Sequence, residues 1–425
     1  MKKQLPILEE KQCFKLPFEK GSFNLTEVTL NSNSAFRKPT YFYPIQLRKI
    51  GFHHEVLSLG VKLEGEAEQR VYLKVKKDEL WVSCSFDTDQ TYLSRYAYFG
   101  LLKLMDFNGS VNFKKFYWPD FFDPETGKTK YLQILNDRMG MDVNLKPKFP
   151  TFYKPGASLL QIQPEIEVPR INTRELIRLD ELPLTDDVLG YCIANRQMNS
   201  FHSNHYPFLL PFHGILSKDR EKIKSFTSFV VKGSEIYSSA LTRKQEQLNE
   251  ICFNMWDLAP ISNESFHGRF QFNEEEIERG KQLFELWHEA MALILSQKHL
   301  YVCRSYGMKN LLGKPNRNWM KACDIRREIP QLLIKKRNKG DYFLFELQFK
   351  VKGKLHIPEY PNIAFFINPK VDWLKIYLLG SYNDYLLTSF FAKSNFKLAV
   401  LKCHYKGEFE NFVEGLAERY EIKEA

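Results

Sequence analysis

Between Lys309 and Lys339 the chain carries ten basic residues and only two acidic ones. Lys309, Lys314, Arg317, Lys321, Arg326, Arg327, Lys335, Lys336, Arg337 and Lys339 stand against Asp324 and Glu328. The local excess of +8 accounts for most of the net charge of +10. Ammonium and guanidinium groups at this density suit a polyanion, because each phosphate they neutralise releases bound counterions. Trp319 lies inside the run, and an indole can stack on an exposed base. These eleven residues form the candidate nucleic-acid-binding set, with DNA favoured over RNA as the partner. The plain alternative is a solvated face, whose charges keep a strand edge soluble or pair with acids such as Glu274–Glu276. Within the set, Arg326, Arg327, Lys335, Lys336 and Arg337 are the densest group. Adjacent Arg326 and Arg327 diverge on a strand and lie about 100° apart on a helix, so one of the two should be fully engaged.

Other spacings that resemble chemical motifs are incomplete. His202, His205 and His213 in FHSNHYPFLLPFH have no carboxylate or cysteine close by to complete a metal site, which favours partly buried or surface histidines. His53 and His54 are adjacent, and on a strand they face opposite ways. WHEAMALILSQKH begins like H-E-x-x-H, but Ala292 occupies the second histidine position. Glu285 and His288 give E-x-x-H without the second copy a di-iron bundle requires, and a solvated helix face is the expectation. Gly127-Lys128-Thr129 ends like a phosphate loop, yet Phe122 stands where the first glycine belongs, and Asp123-Pro124 with Gly127 predicts a turn. No nucleophile elbow or glycine-rich dinucleotide turn is present. The expectation is no catalytic residue, no metal ligand set and no cofactor, although an active site assembled from distant residues stays open.

The elements that must position these groups follow from composition and periodicity. At 425 residues the chain has room for roughly three domains of about 150 residues. Apolar residues at 44% and aromatics at 15% supply several cores, which excludes a disordered class. Seven scattered cysteines, never spaced C-x-x-C, point to reduced and mostly buried thiols rather than a disulfide framework. Apolar runs are too short for a membrane span, and Glu9, Glu10 and Lys11 interrupt the start, so a cytoplasmic location is expected.

Residues 1–40 read as an irregular arm. RVYLKVKK alternates Val71, Leu73 and Val75 against Tyr72, Lys74 and Lys76, the pattern of a half-buried strand. VLGYCIANRQ and PFLLPFHGIL are also predicted strands. Helices are predicted over 91–105, over 234–256 with Tyr237, Leu241, Leu248, Ile251, Cys252 and Met255 on one stripe, and over 273–299 with Ile277, Phe284, Trp287, Met291 and Ile294. Asn273 is the predicted cap of the last of these, with Glu274, Glu275 and Glu276 favourable in its first turn. YFLFELQFKVK should put Phe343, Phe345, Leu347, Phe349 and Val351 on one face. FENFVEGLAERYEI should form an amphipathic helix through Phe409, Phe412, Val413, Leu416 and Tyr420. The class is α+β: a strand-rich part over 1–138, a proline-containing connection over 139–180, a mainly helical part over 181–320, and an α+β part over 321–425.

One strand and helix carry a resemblance. In ELWVSCSFDTDQTYLSRYAYFGLLKL, Cys84 and Phe86 hold the positions of a C-x-C pair, and Ser94 and Tyr96 hold those of C-x-H. The segment resembles a SWIM finger that has kept one of four ligands, and a single thiolate cannot hold zinc. The period of two places Leu80, Val82, Cys84 and Phe86 inward, so Phe86 and Tyr96 are expected to fill the metal's place with buried rings. A plain strand and helix is the competing reading. Together with YPFLLPFHGILSKDREKIKSF, YFLFELQFKVKGKL and AVLKCHYKGEFENFVEGLAERYEI, the segment resembles the accessory region that precedes the motor in bacterial Swi/Snf-type DEAD/DEAH-box helicases. The motor's own motifs are absent. The resemblance implies a non-catalytic accessory part that contacts nucleic acid and works with a helicase motor in cis or in trans. A protein-interaction module that docks on a motor without touching nucleic acid is the alternative, and an unrecognised enzyme such as a nuclease is the third.

Overall fold

The structure is a computed structural model that describes residues 8, 10–37, 44–105, 108–137, 140–161, 187–196, 205–233, 241–261, 274–305, 308–358, 363–368 and 375–425. Two units emerge. One comprises Met1–Leu159 with Ala399–Glu410, and the other Leu160–Leu398 with Asn411–Ala425. The predicted cap Asn273, the helix residues Ser234–Ala240, His202 and residues 162–180 of the predicted connection lie outside the described residues.

The first unit contains β1 (Phe14–Pro17), β2 (Asn24–Thr26), α1 (Glu27–Asn33), β3 (Ile45–His53), β4 (Val56–Leu63), β5 (Gln69–Val75), β6 (Glu79–Cys84), α2 (Arg95–Met105), β7 (Ser110–Asn112), β8 (Leu132–Asp137), β9 (Gly140–Leu145) and β10 (Thr151–Phe152). Its main sheet is antiparallel in the order β1-β6-β5-β4-β3. Val71, Leu73 and Val75 are buried as their alternation predicts. Residues 1–40 are more regular than expected, because β1 pairs with β6 and Thr26 caps α1 by accepting from the Thr29 N–H at 3.2 Å. Elements of three to seven residues show too little periodicity to be read from sequence; what orders them is burial of Leu16, Leu25 and Leu30. The predicted connection likewise contains β9 and β10. DPETGKTK is a turn, as expected: the Asp123 carboxylate accepts from both the N–H and the hydroxyl of Thr126 at 2.7 Å, and Gly127 takes φ +62°.

The second unit contains β11 (Asp187–Arg196), β12 (Phe208–Leu216), β13 (Ile223–Phe229), α3 (Arg243–Leu258), α4 (Glu274–Ile294), β14 (Leu300–Ser305), β15 (Met320–Ala322), β16 (Asp324–Arg326), β17 (Gln331–Asn338), β18 (Tyr342–Val351), β19 (Lys354–His356), β20 (Phe366–Ile367), β21 (Lys375–Leu378) and α5 (Tyr382–Ala392). After it come β22 (Lys397–Leu401), α6 (Lys402–Tyr405), α7 (Glu408–Ala417) and β23 (Glu421–Glu424). A five-stranded sheet runs β13-β12-β11-β14-β15, with β11 and β14 parallel and the other neighbours antiparallel. A three-stranded sheet runs β16-β21-β20. The β17–β18 hairpin is flanked by β23, parallel to β17, and by β19 on β18.

The two long helices are shorter than their apolar stripes suggest. A capping box between Thr242 and Gln245 opens α3, which buries Leu248, Ile251, Cys252 and Met255. Helix α4 buries Phe284, Trp287 and Ile294, and its end is closed by Ser296 Oγ and Gln297 Nε2 donating to the Leu293 carbonyl at 2.7 and 3.3 Å. On β18 the expected face is buried at Phe345, Leu347, Phe349 and Val351, but Leu344 and Glu346 are buried too, so both faces of this strand are partly covered. The fold class is mixed α+β, as the sequence indicates. Among the described residues, no helix is long and apolar enough to cross a membrane.

Candidate nucleic-acid interface

The basic run divides between two places in the second unit. Its first half is the connection from β14 to the edge strand β15, together with β15 itself. Backbone hydrogen bonds pin that connection: Phe229 N–H donates to the Gly313 carbonyl at 2.7 Å, Trp319 N–H to Asn316 at 2.9 Å, and Arg304 N–H to Trp319 at 3.1 Å. Lys309, Lys314, Arg317 and Lys321 are exposed on it, and Trp319 is half-buried. Arg304 on β14 is exposed as well. Among the described residues none of these five cations has an acid partner. A fixed backbone that holds unpaired cations meets a polyanion with little ordering cost.

The second half lies on β16 and the β17–β18 hairpin, where the charges are largely matched from within. Arg326 pairs with Asp324. Lys336 reaches Glu424 at 3.1 Å and lies 5.0 Å from the Phe343 ring centroid. Arg337 approaches the buried Glu346 carboxylate at 2.9 Å as an ion pair without hydrogen-bond alignment, and Lys397 stands 3.6 Å from the same group. Half-buried Lys335 is directly opposite Glu346 in the strand register. Glu328, the other acid of the run, holds Lys352. Arg327 and Lys339 are exposed. The densest basic triplet therefore satisfies its own sheet, and the acids that meet it are Glu346 and Glu424 rather than Glu274–Glu276.

The four positions of the SWIM-like segment meet as two pairs. Burial pushes the Cys84 thiol up, and the neighbouring Ser94 side chain opposes this. Phe86 and Tyr96 pack edge to face with centroids 5.5 Å apart. Phe86 is 46% exposed rather than buried, because β6 ends at Cys84 and the left-handed Asp87 turns the chain, breaking the period of two. Its truncation should cost well below the roughly 3–5 kcal/mol of a buried phenylalanine.

The histidines depart from their sequence reading. His205 and His213 are buried, and His205 Nδ1 lies 2.9 Å from the Tyr206 carbonyl. His288 is half-buried, not solvated; its Nε2 is 2.9 Å from the Leu379 carbonyl, and burial lowers its basicity. Sequence spacing gave no sign of one further group in the first unit. Asp120, Cys403 and His404 bring one potential metal-binding atom each within 4.8 Å of the others, the one such group among the described residues. His404 Nε2 is 2.8 Å from Asp120, and this hydrogen bond is the chief cause that holds the carboxyl below its usual range. The charges of Lys74 and Lys76 act on the same carboxylate and work against a bound cation. Burial and the Asp120 charge push the Cys403 thiol up, so it is no ready nucleophile.

One residue of the candidate interface escaped sequence reasoning: Arg304, which lies outside the basic run and is brought near Lys321 only by the pairing of β14 with β15. No protein-family model, no curated protein and no solved structure matches this chain.

Proposed function

We propose that this chain is a non-catalytic nucleic-acid-contacting region, and that Arg304, Lys309, Lys314, Arg317 and Lys321 bind phosphates, with Trp319 beside them as a stacking surface. The observation that carries the reading is five exposed cations without acid partners on one pinned connection and its flanking strands. Phosphate contacts of this kind bind without regard to sequence and fall off with salt. The accessory-region resemblance fits the same role, a part that holds nucleic acid for a helicase motor in cis or in trans. In its favour stands the meeting of Cys84 with Ser94 and of Phe86 with Tyr96.

Titration of fluorescent single-stranded DNA, duplex DNA and RNA over a series of salt concentrations tests this. Five phosphate contacts to a single strand give a slope of log K against log salt of about −3.5, and each cation changed to Gln flattens it by about 0.7. Absence of binding by the parent protein at low salt would move the chain to the docking alternative. For that reading the exposed Leu355 on edge strand β19, 54% accessible, and the neighbouring Ile357 are the observation in favour. Incubating the same oligonucleotides with Mg²⁺ and looking for cleavage addresses the nuclease reading.

A further inference from the structure

A pocket lies beside the cationic connection, walled on one side by β11, β14 and β15 and on the other by the β16-β21-β20 sheet. Its volume is about 490 Å³ counting the space open to solvent. Asn195, Arg304, Lys321 and Asn368 supply the polar groups, and Ile363 and Phe366 belong to the apolar wall. The register explains the convergence. Asn195 pairs with Arg304 across the parallel β11–β14 ladder, and Lys321 pairs with Val302 two residues before Arg304. Side chains of Asn195, Arg304 and Lys321 therefore share one face of the sheet.

Three features make this an anion site. Among the described residues, two cations and two carboxamides line it, and no carboxylate does. The lining thiol of Cys323 is pushed up to about 12 by burial, so it adds no negative charge at neutral pH. Asn368 is only 6% exposed, yet among the described residues its side chain makes no hydrogen bond. Its amide lines the pocket and is open to a ligand that accepts from it.

We infer that the pocket seats a terminal phosphate monoester of a nucleic-acid strand, held by Arg304, Lys321, Asn195 and Asn368. A monoester dianion matches two cations and needs only one exit from the pocket. An internal diester carries one negative charge and matches the two cations less well. The strand leaves past Trp319 and the lysines of the connection, so this inference rests on the surface proposed above.

The test compares one oligonucleotide in three forms, 5′-phosphorylated, 3′-phosphorylated and unphosphorylated, with inorganic phosphate and adenosine monophosphate as competitors. One phosphorylated end binds at least about tenfold tighter than the hydroxyl form, the effect of about 1.4 kcal/mol. Asn368→Asp, which places a carboxylate in the pocket, brings the phosphorylated form down to the affinity of the hydroxyl form. A melting curve checks that this variant is folded; if it is not, the preference of the parent protein decides. Equal binding of all three forms overturns the pocket and leaves the surface proposal standing. Lack of binding by any form at low salt overturns the surface proposal. Binding of inorganic phosphate without preference between strand ends shows a free-anion site and also overturns the inference.

Discussion

Lys154 shows how much one side chain's surroundings can change its chemistry. Burial, with a smaller contribution from Lys114, lowers its ammonium from 10.5 to about 7. Two contacts oppose this: Nζ donates to the Tyr117 carbonyl at 2.7 Å and lies 3.2 Å from the Trp118 ring centroid. The folded pKa is below the unfolded one. Between about 7 and 10.5 the unfolded chain binds more protons, and stability rises with pH across that window. Below about 7 both states carry the proton and the penalty is complete. Chemical denaturation from pH 6.5 to 9.5 should show a rise of about a few kcal/mol at most. Lys154→Met should flatten it, and an equal rise in the variant would assign the effect to other groups. Nothing in the sequence marked this lysine, since a pKa shift arises from burial and neighbours that no spacing encodes. The basic run was legible in composition. Which of its members stay unpaired was not, because Glu346 and Glu424 reach it only through strand pairing.

At the level of elements, long periodic segments were the readable ones. The strand over Gln69–Val75, helix α3 and helix α7 follow their apolar patterns, since each has enough residues for a period to emerge from local noise. Element ends were misplaced wherever a side chain or a left-handed residue set them, as at Ser296 and Asp87. Helix α2 carries a feature that helix propensity alone would misjudge. Gly100 is an interior helical residue, and alanine there normally helps by up to about 1 kcal/mol. A Cβ at this position would lie 2.8 Å from Val61 Cγ2 on β4, against a β-branched side chain with little room to give. Gly100→Ala should therefore destabilise by about 1–2 kcal/mol net of the propensity gain. Combined with Val61→Ala the penalty from the clash should disappear, which a double-mutant cycle in urea measures. A stabilising Gly100→Ala would show that α2 can move off the sheet at no cost.

For the molecule as a whole, the discontinuous first unit matters most. Ala399–Glu410 belongs with Met1–Leu159, an arrangement no linear reading of domains anticipates. Ala399 accepts from the Tyr153 N–H at 2.7 Å, Glu408 accepts from the Tyr153 hydroxyl at 3.0 Å, and the Phe409 ring packs 4.9 Å from that of Tyr153. Phe409 is 1% exposed. Phe409→Ala should cost about 3–5 kcal/mol, and hydrogen exchange should show the loss at the Tyr153 amide, far away in sequence. Unchanged protection there would separate the returning segment from the stability of this unit. Synthesis on the ribosome gives the same arrangement a temporal meaning. The first 159 residues emerge early, but their completing segment is made only after residues 160–398 of the second unit have been translated. At about 5–20 residues per second, the N-terminal sheet waits ten seconds or more with its seat for Phe409 empty. Until that segment arrives, the exposed seat is where a chaperone would bind the nascent chain.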